Sequence, residues 1–184
     1  MNKKDIILSA ICGLSVSWLV FDFFGTTYGL ISVVIFPALS IAGFWFVELV
    51  GRKFLFVHQA GKFALAGAFA DVVDIKIFQL VFLFLPFSTS CKIISFFAGT
   101  LVKYFSDKYW AFERHEKKDM HKEMAMFFLV AVVGAGINVV SFYFFNKMNV
   151  RLPANLWQEL SIILAALVTA IWNFCGYKFL VFKK

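Results

Sequence analysis

The chain consists of long apolar segments separated by short polar ones. Six segments approach or reach the roughly 20 apolar residues that span a bilayer. They run from Ile6 to Phe24, Gly29 to Val50, Phe63 to Leu85, Ile93 to Tyr109, Met124 to Phe145 and Leu156 to Tyr177. None shows the alternation over about ten residues that is typical of a membrane β-barrel. The pattern therefore predicts an all-α, polytopic membrane protein with six transmembrane helices.

The composition supports a membrane protein without a catalytic domain. Of the 184 residues, 61% are apolar and 16% are charged, whereas a soluble domain is about 45–50% apolar and about 25% charged. Six spans leave no room for an appended enzyme, so we expect no catalytic residues, no metal site and no cofactor. A net charge of +7 also occurs in nucleic-acid-binding proteins. Here the charges lie between apolar segments rather than on one face, and we expect no nucleic-acid partner.

Basic residues indicate the orientation of the spans, because Lys and Arg in short loops are retained on the cytoplasmic side. Thirteen lie on one side and three on the other, while Lys76 and Lys103 fall within spans. The first group is Lys3, Lys4, Arg52, Lys53, Lys62, Lys108, Arg114, Lys117, Lys118, Lys122, Lys178, Lys183 and Lys184, and the second is Lys92, Lys147 and Arg151. This bias predicts that both termini face the cytoplasm, an N-in/C-in topology.

Two sequence frames occur twice in the chain. Residues Gly67 to Val73 (GAFADVV) recur 67 positions later as Gly134 to Val140 (GAGINVV). Residues Lys103 to Phe112 (KYFSDKYWAF) are echoed 70 positions later by Asn173 to Phe182 (NFCGYKFLVF). Each repeat holds two helices, and an even number of helices returns the chain to the same membrane face. The repeats, about 61–113 and 127–184, are therefore predicted to be parallel rather than inverted.

Ionisable residues at membrane depth are costly and are therefore candidates for function. At about 1.5 Å per helical residue, Asp71 lies about 12 Å from the cytoplasmic end and Asp74 about 16 Å. Lys103 on the next helix lies about 8 Å deep on the same scale, and we expect it to pair with Asp71. Lys76 points away from Asp71 on a helical wheel, and Glu159 is a candidate partner for it.

The second repeat carries neutral residues at the equivalent positions. Asn138 corresponds to Asp71, and Asn173 corresponds to Lys103. The simplest interpretation is that both pairs are polar contacts between helices, worth about 1 kcal/mol each. A functional interpretation remains open beside it.

Two longer motifs lie in the last two thirds of the chain. An opening of the form Phe-x3-Gly-x6-Asp is met by Phe63, Gly67 and Asp74. An ending of the form N-F-x-x-N-R-x-W-x-F is met in part twice. The first copy keeps Trp110 and Phe112, with Lys103 for Asn and Tyr104 for Phe; the second keeps Asn173, Phe174 and Phe182, with Tyr177 for Asn and Leu180 for Trp. Both copies have Lys at the Arg position, namely Lys108 and Lys178.

These motifs resemble the GtrA-like family, whose members accompany polyprenyl-phosphate sugar synthases and whose module is also fused to dolichol-phosphate-mannose-type synthases. The resemblance implies a four-helix GtrA-like domain at residues 60–184, preceded by a transmembrane hairpin at residues 1–53. It implies flipping of a polyprenyl-phosphate-linked monosaccharide across the bacterial inner membrane for cell-surface polysaccharide synthesis. The implied partners are that lipid-linked sugar, membrane lipid and a polyprenyl-phosphate glycosyltransferase, with a homo-oligomer left open.

The resemblance also gives the polar residues candidate roles in binding the substrate. A polar cleft for the phosphate or sugar would be lined by Asp71, Asp74, Lys103, Asn138 and Asn173. Lys108 and Lys178, beside aromatic residues at the cytoplasmic interface, would hold the lipid phosphate. The simpler interpretation of these two lysines is an interfacial anchor. Lys lacks the planar fork with which Arg grips phosphate at two points.

Two other functions are consistent with the sequence. A non-transporting membrane anchor or regulator of a polyprenyl-phosphate glycosyltransferase would need the same spans and the same basic cytoplasmic rim. A small proton-coupled exporter would use Asp71 or Asp74 as its coupling acid.

Overall fold

The computed structural model describes residues 2–51, 53–85, 87–116, 119–148 and 153–182. These residues form α-helices and π-helical turns and contain no strand, which confirms the predicted all-α class. Several residues used in the topology and loop predictions lie outside the described ranges: Arg52, Pro86, Lys117, Lys118, Arg151, Lys183 and Lys184.

Five α-helices follow one another along the described chain. They are α1 (Lys3–Gly51), α2 (Leu55–Phe82), α3 (Ser88–Ser106), α4 (Met120–Asn146) and α5 (Ala154–Gly176). Two of them continue into a wider helical turn: α3 into the π turn π1 (Asp107–Ala111) and α5 into the π turn π2 (Tyr177–Val181).

Helix α1 consists of two antiparallel arms, residues 3–24 and 26–51. Gly25 separates them with φ 79° and ψ −176°, a conformation open to glycine because it has no Cβ. Ser17 Oγ donates a hydrogen bond to Ser32 O across the arms at 2.8 Å. Gly13 packs so closely on Pro37 that a Cβ would lie 2.5 Å from its Cα. The chain thus reverses at Gly25, and the first two apolar segments form a helical hairpin.

The chain divides into two compact units, residues 1–115 and 116–184. In the first unit, α2 packs against both α1 and α3. Cys12 of the hairpin, Ala66 of α2 and Trp110 of π1 are buried together. In the second unit, α4 packs against α5. Trp157 Nε1 donates to Phe145 O at 3.0 Å near one end of this pair, and Trp172 Nε1 donates to Val130 O at 3.2 Å near the other.

Helix length and surface composition agree with a multi-pass membrane protein. Three helices of the described chain are long and apolar enough to cross a bilayer: Lys3–Gly51, Met120–Asn146 and Trp157–Val181. Helices α2 and α3, which carry most of the intramembrane charges, are not among them. Large apolar side chains are widely exposed, with Val34 at 72% and Val139 at 68%. Such a surface is stable against lipid and is rare in water.

Candidate functional site

Both copies of the ending motif form the same irregular helix end. In π1 the Phe112 amide donates to Asp107 O at 2.8 Å, and in π2 the Phe182 amide donates to Tyr177 O at 2.7 Å. These bonds span five residues instead of four, so each helix end accommodates one extra residue. Such π turns are rare and are often found at functional sites. The twofold occurrence of the motif in the sequence therefore has a structural counterpart.

Each π turn places its lysine over an aromatic ring one helical turn earlier. Lys108 Nζ lies 5.6 Å from the Tyr104 ring centroid, and Lys178 Nζ lies 5.7 Å from that of Phe174. An ammonium over a ring face is held by the negative quadrupole of the ring. Lys108 also donates to Tyr104 Oη at 3.3 Å. The two predicted lysines thus share one local geometry.

The two lysines differ in access to the surroundings. Lys108 is completely buried, whereas Lys178 is half-buried. A phosphate can therefore approach Lys178 in the present conformation, while contact with Lys108 requires side chains to move.

A glycine faces the polar residue that begins each ending motif. A Cβ on Gly67 would lie 3.2 Å from Lys103 Nζ, and one on Gly134 would lie 2.3 Å from Asn173 Oδ1. Residues Gly67 and Gly134 are equivalent in the repeats, as are Lys103 and Asn173. The absence of a side chain at both glycines leaves room for the polar group between the two helices. The Lys103 ammonium also lies 4.0 Å from the Phe63 ring centroid.

Asp71 and Lys103 form no direct ion pair among the described residues, although Lys103 is close enough to interact electrostatically with Asp71. Lys103 Nζ instead lies 3.5 Å from Asp107 Oδ2, and the Asp107 side chain has no exposed surface. Residues four apart are neighbours on one helix face. Asp107 can therefore pair with Lys103 within the same helix, and no residue of α2 is needed. Asp71 lies on the exposed side of α2.

The other charges of α2 pair towards the opposite end of the unit. Asp74 Oδ2 lies 2.5 Å from Lys92 Nζ of α3. Lys76 pairs with Asp22 of the hairpin, where the sequence suggested Glu159, and it lies 4.4 Å from the Trp18 ring centroid. The hairpin therefore supplies a counter-ion that a search confined to the repeats misses.

In the second unit, hydrogen bonds replace the charges. Asn138 Nδ2 donates to Thr169 Oγ1 at 3.1 Å, and Thr169 Oγ1 donates to Ala165 O at 2.8 Å. Asn173 faces Gly134, and its Oδ1 is buried without a hydrogen-bond partner among the described residues. The predicted polar residues of this unit therefore lie between α4 and α5, but among the described residues no hydrogen bond joins Asn138 to Asn173.

Sequence reasoning missed a buried charged cluster at the π1 end of the first unit. Lys62 Nζ lies 3.3 Å from Asp5 Oδ1 and 2.7 Å from Glu113 Oε1. Trp110 Nε1 donates to the same Asp5 oxygen at 2.9 Å. Lys62 is 3% exposed and Asp5 is 7% exposed. The available signal was an acidic residue at the start of an apolar span, five residues from the terminus.

The comparison with family models decides the family. The model described as GtrA/DPMS, transmembrane domain, matches residues 62–182. The chain belongs to this family. The match confirms the resemblance inferred from the motifs. Comparison with curated proteins and with solved structures gave no match.

The family segment includes both π turns and excludes the hairpin. It begins at Lys62, the buried lysine of the charged cluster, and it contains Trp110. Asp5, which accepts the hydrogen bond from Trp110, lies before it. The GtrA/DPMS module of this chain thus has part of its π1 end completed by a residue from outside the module.

Proposed function

We propose that this protein moves a polyprenyl-phosphate-linked monosaccharide across the bacterial inner membrane for cell-surface polysaccharide synthesis. The observation that carries the proposal is the lysine held over an aromatic ring at the end of each two-helix unit of a GtrA/DPMS module. A cation at the end of an apolar helix pair suits a phosphate whose hydrocarbon tail remains in the bilayer. Exposed Phe and Val side chains of the same helices would contact that tail.

The proposed topology places both lysines on the cytoplasmic side, where such a lipid-linked sugar is made. Six spans, with the two arms of α1 as the first two, bring both termini to the cytoplasm. We keep the domain division predicted from the sequence, with a hairpin at residues 1–53 and a GtrA-like domain at residues 60–184. Lys108 in the first unit and Lys178 in the second would each be able to bind a phosphate as a point charge. Within their own units, Asp74 of the first and Asn138 and Asn173 of the second would offer hydrogen bonds to sugar hydroxyls.

The proposed protein is not an enzyme and acts beside a polyprenyl-phosphate glycosyltransferase. The synthase would release its product into the inner leaflet, from which this protein takes it. No bond of the substrate is made or broken in this step.

A second function, a non-transporting anchor or regulator of that glycosyltransferase, is favoured by one observation. Lys108 has no exposed surface and is bonded to Tyr104, which suits a structural lysine. An anchor needs its spans and its basic rim, but it needs no route for the sugar.

Transport and anchoring are separated by two measurements on the full chain. In vesicles, a labelled polyprenyl-phosphate-linked sugar should become accessible in the second leaflet only when the protein is present. Lys178→Gln should slow this exchange about tenfold, because a hydrogen bond to a charged group contributes about 1.5–3 kcal/mol.

Lys147→Gln is the matched control in the same unit. Lys147 is exposed and lies 4.2 Å from the Tyr143 ring centroid, but at the other end of α4. Its loss should leave the exchange rate unchanged. If the protein does not accelerate exchange, yet a glycosyltransferase requires it for activity in detergent, the transport proposal is wrong and the anchor is correct.

A further inference from the structure

The ion pair between Lys103 and Asp107 is loose for a buried pair. Asp107 is completely buried, and neither of its carboxylate oxygens has a hydrogen-bond partner among the described residues. The Lys103 ammonium lies 3.5 Å from Oδ2, beyond the roughly 2.7–2.9 Å of a charge-assisted hydrogen bond. Buried polar groups are nearly always hydrogen-bonded, and an exception calls for a specific explanation.

The second unit shows that this helix end can be built without the two charges. Asn173 stands in place of Lys103, and Tyr177 stands in place of Asp107. Tyr177 is 1% exposed and stacks on Phe127 with 3.8 Å between ring centroids. The equivalent π turn forms around this neutral stack. The charges of the first unit are therefore not a requirement of the π turn itself.

The two members of the pair differ in access. The Lys103 side chain is 18% exposed, while that of Asp107 is 0% exposed. Gly67 opposite Lys103 has no side chain to cover the ammonium, which lies 3.2 Å from the position a Cβ would take. An anion can therefore contact the partly exposed Lys103 side chain, whereas it cannot contact the fully buried Asp107.

We propose that Asp107 is a resting counter-ion of Lys103, which an entering phosphate displaces. The ligand class is a phosphate monoester or diester on a hydrocarbon tail, and this assignment rests on the proposed function. Asp107 keeps the ammonium neutralised within the helix pair while no ligand is bound. The distance between Asp107 and Lys103 is long, and the Asp107 oxygens lack hydrogen bonds among the described residues. Lys103 therefore leaves Asp107 for a ligand more easily than it would leave a tight, fully hydrogen-bonded partner. The phosphate then offers Lys103 an oxygen at hydrogen-bond distance.

The test measures binding of farnesyl phosphate to the full chain in detergent, with farnesol as the ligand that lacks the phosphate. Asp107→Asn removes the competing carboxylate and should bind farnesyl phosphate about tenfold more tightly, which corresponds to about 1.4 kcal/mol. The double variant Asp107→Asn with Lys103→Asn should not show this tighter binding of farnesyl phosphate. Tyr177→Phe, at the equivalent position of the second unit, should leave the affinity unchanged. Farnesol affinity should be the same in all variants.

Asp107→Glu keeps the charge and therefore serves if Asp107→Asn does not fold. Its longer side chain should hold Lys103 more tightly and weaken farnesyl phosphate binding about threefold, or about 0.65 kcal/mol. Equal or tighter binding by this variant overturns the proposal. If Lys178→Gln weakens binding while Asp107→Asn leaves it unchanged, the counter-ion proposal is wrong and the proposed function stands. If no variant, nor the parent, distinguishes farnesyl phosphate from farnesol, both are wrong.

Discussion

Lysine ammonium groups inside the first unit are stabilised by carboxylates, by aromatic rings or by both. Lys62 has two carboxylates within 3.3 Å, from Asp5 and Glu113. Lys108 has the ring and hydroxyl of Tyr104. Lys103 combines both kinds of partner, since it lies between the Phe63 ring and Asp107. The carboxylate of Asp107 lies 3.5 Å from Lys103, farther than either carboxylate lies from Lys62, which is why we place ligand exchange at Lys103.

The pairing of Lys103 with Asp107 can be tested by stability. Asp107→Asn leaves the Lys103 ammonium without its carboxylate, and Lys103→Asn leaves the Asp107 carboxylate without its ammonium. Each single change should therefore lower the free energy of unfolding by about 3–5 kcal/mol. The double variant removes both charges and should recover most of the lost stability. Thermal unfolding in detergent and abundance in the membrane measure the effect.

Asp71→Asn is the control for this cycle. Asp71 makes no direct contact with Lys103, whereas Asp107 does, so Asp71→Asn should cost less stability than Asp107→Asn. If Asp71→Asn destabilises as much as Asp107→Asn, and only the combination of Asp71→Asn with Lys103→Asn recovers, the original pairing with Asp71 is correct after all.

The hydrogen bond from Trp110 to Asp5 should contribute more to the stability of the fold than a hydrogen bond from a tryptophan to a neutral acceptor. Trp110→Phe keeps the apolar body but removes a donor from a buried carboxylate, which should cost about 1–3 kcal/mol. Trp172→Phe is the matched change, since Trp172 Nε1 donates to the backbone carbonyl of Val130, a neutral acceptor. The difference in melting temperature between the two variants measures the contribution of the charge. An equal decrease in melting temperature for both variants would show that the negative charge of Asp5 does not strengthen its hydrogen bond with Trp110.

At the residue scale, the sequence predicted which polar positions lie inside the bundle better than it predicted their partners. Asn138, Asn173 and Lys103 do lie between paired helices. The partners differ because a lysine stem reaches several ångströms in either direction along a helix. A prediction from membrane depth pairs Lys103 with a residue of the neighbouring helix. It does not consider Asp107, which lies four residues away on the same helix. Asp107 stands at the second Asn position of the ending motif, and that change of Asn to Asp was the available signal.

At the level of elements, the reversal at Gly25 separates two helices that no proline or polar loop divides. Residues 3–51 are helical except for this glycine, whose φ of 79° reverses the chain. The sequence marks the site by a short break between two apolar segments, in which Gly25 is followed by Thr26 and Thr27. The π turns are still harder to predict, because inserting one residue changes the last turn of a helix without changing its apolar pattern. The repeated frame was the signal that pointed to them.

Gly25→Ala should therefore destabilise the hairpin. A side chain at φ 79° and ψ −176° is strained, with an expected cost of about 1–3 kcal/mol. Gly43→Ala is the matched control, because Gly43 lies inside the second arm and a Cβ there would meet nothing within 4 Å. That change should stabilise the helix by about 0.5–1 kcal/mol. Thermal unfolding of both variants in detergent gives the comparison, and a neutral Gly25→Ala would mean that the reversal does not depend on glycine.

At the scale of the whole molecule, charge is unevenly divided between two similar helix pairs. The polar contacts of the first unit include several ion pairs, among them Lys62 with Asp5, Lys103 with Asp107 and Asp74 with Lys92. Those between α4 and α5 are hydrogen bonds of Asn138 and of tryptophan. Within the first unit, the hairpin supplies Asp5 and Asp22 as counter-ions. The sequence showed this asymmetry in the repeats, but it gave no sign that the hairpin takes part.

The topology of the chain yields the last prediction. The excess of basic residues on one side predicts that the loop of residues 113–123 is cytoplasmic and that the loop of residues 146–155 lies outside. Single cysteines at Glu116 and Met148, both exposed, should react with a membrane-impermeant maleimide from opposite sides of the membrane. In intact cells Met148→Cys should be labelled and Glu116→Cys should not. In inverted vesicles the result should be reversed.

The native cysteines set the background of this experiment. Cys12 and Cys91 are buried, while Cys175 is only partly so, and a variant with all three replaced by alanine removes their signal. Helices α4 and the two arms of α1 each have the length of one crossing, so labelling of Glu116 and Met148 from the same side requires α4 not to cross the membrane. That result would exclude six spans and would also place Lys108 and Lys178 on opposite faces or within the bilayer. The two lysines would then not both lie on the cytoplasmic side, and the transport proposal fails together with the topology.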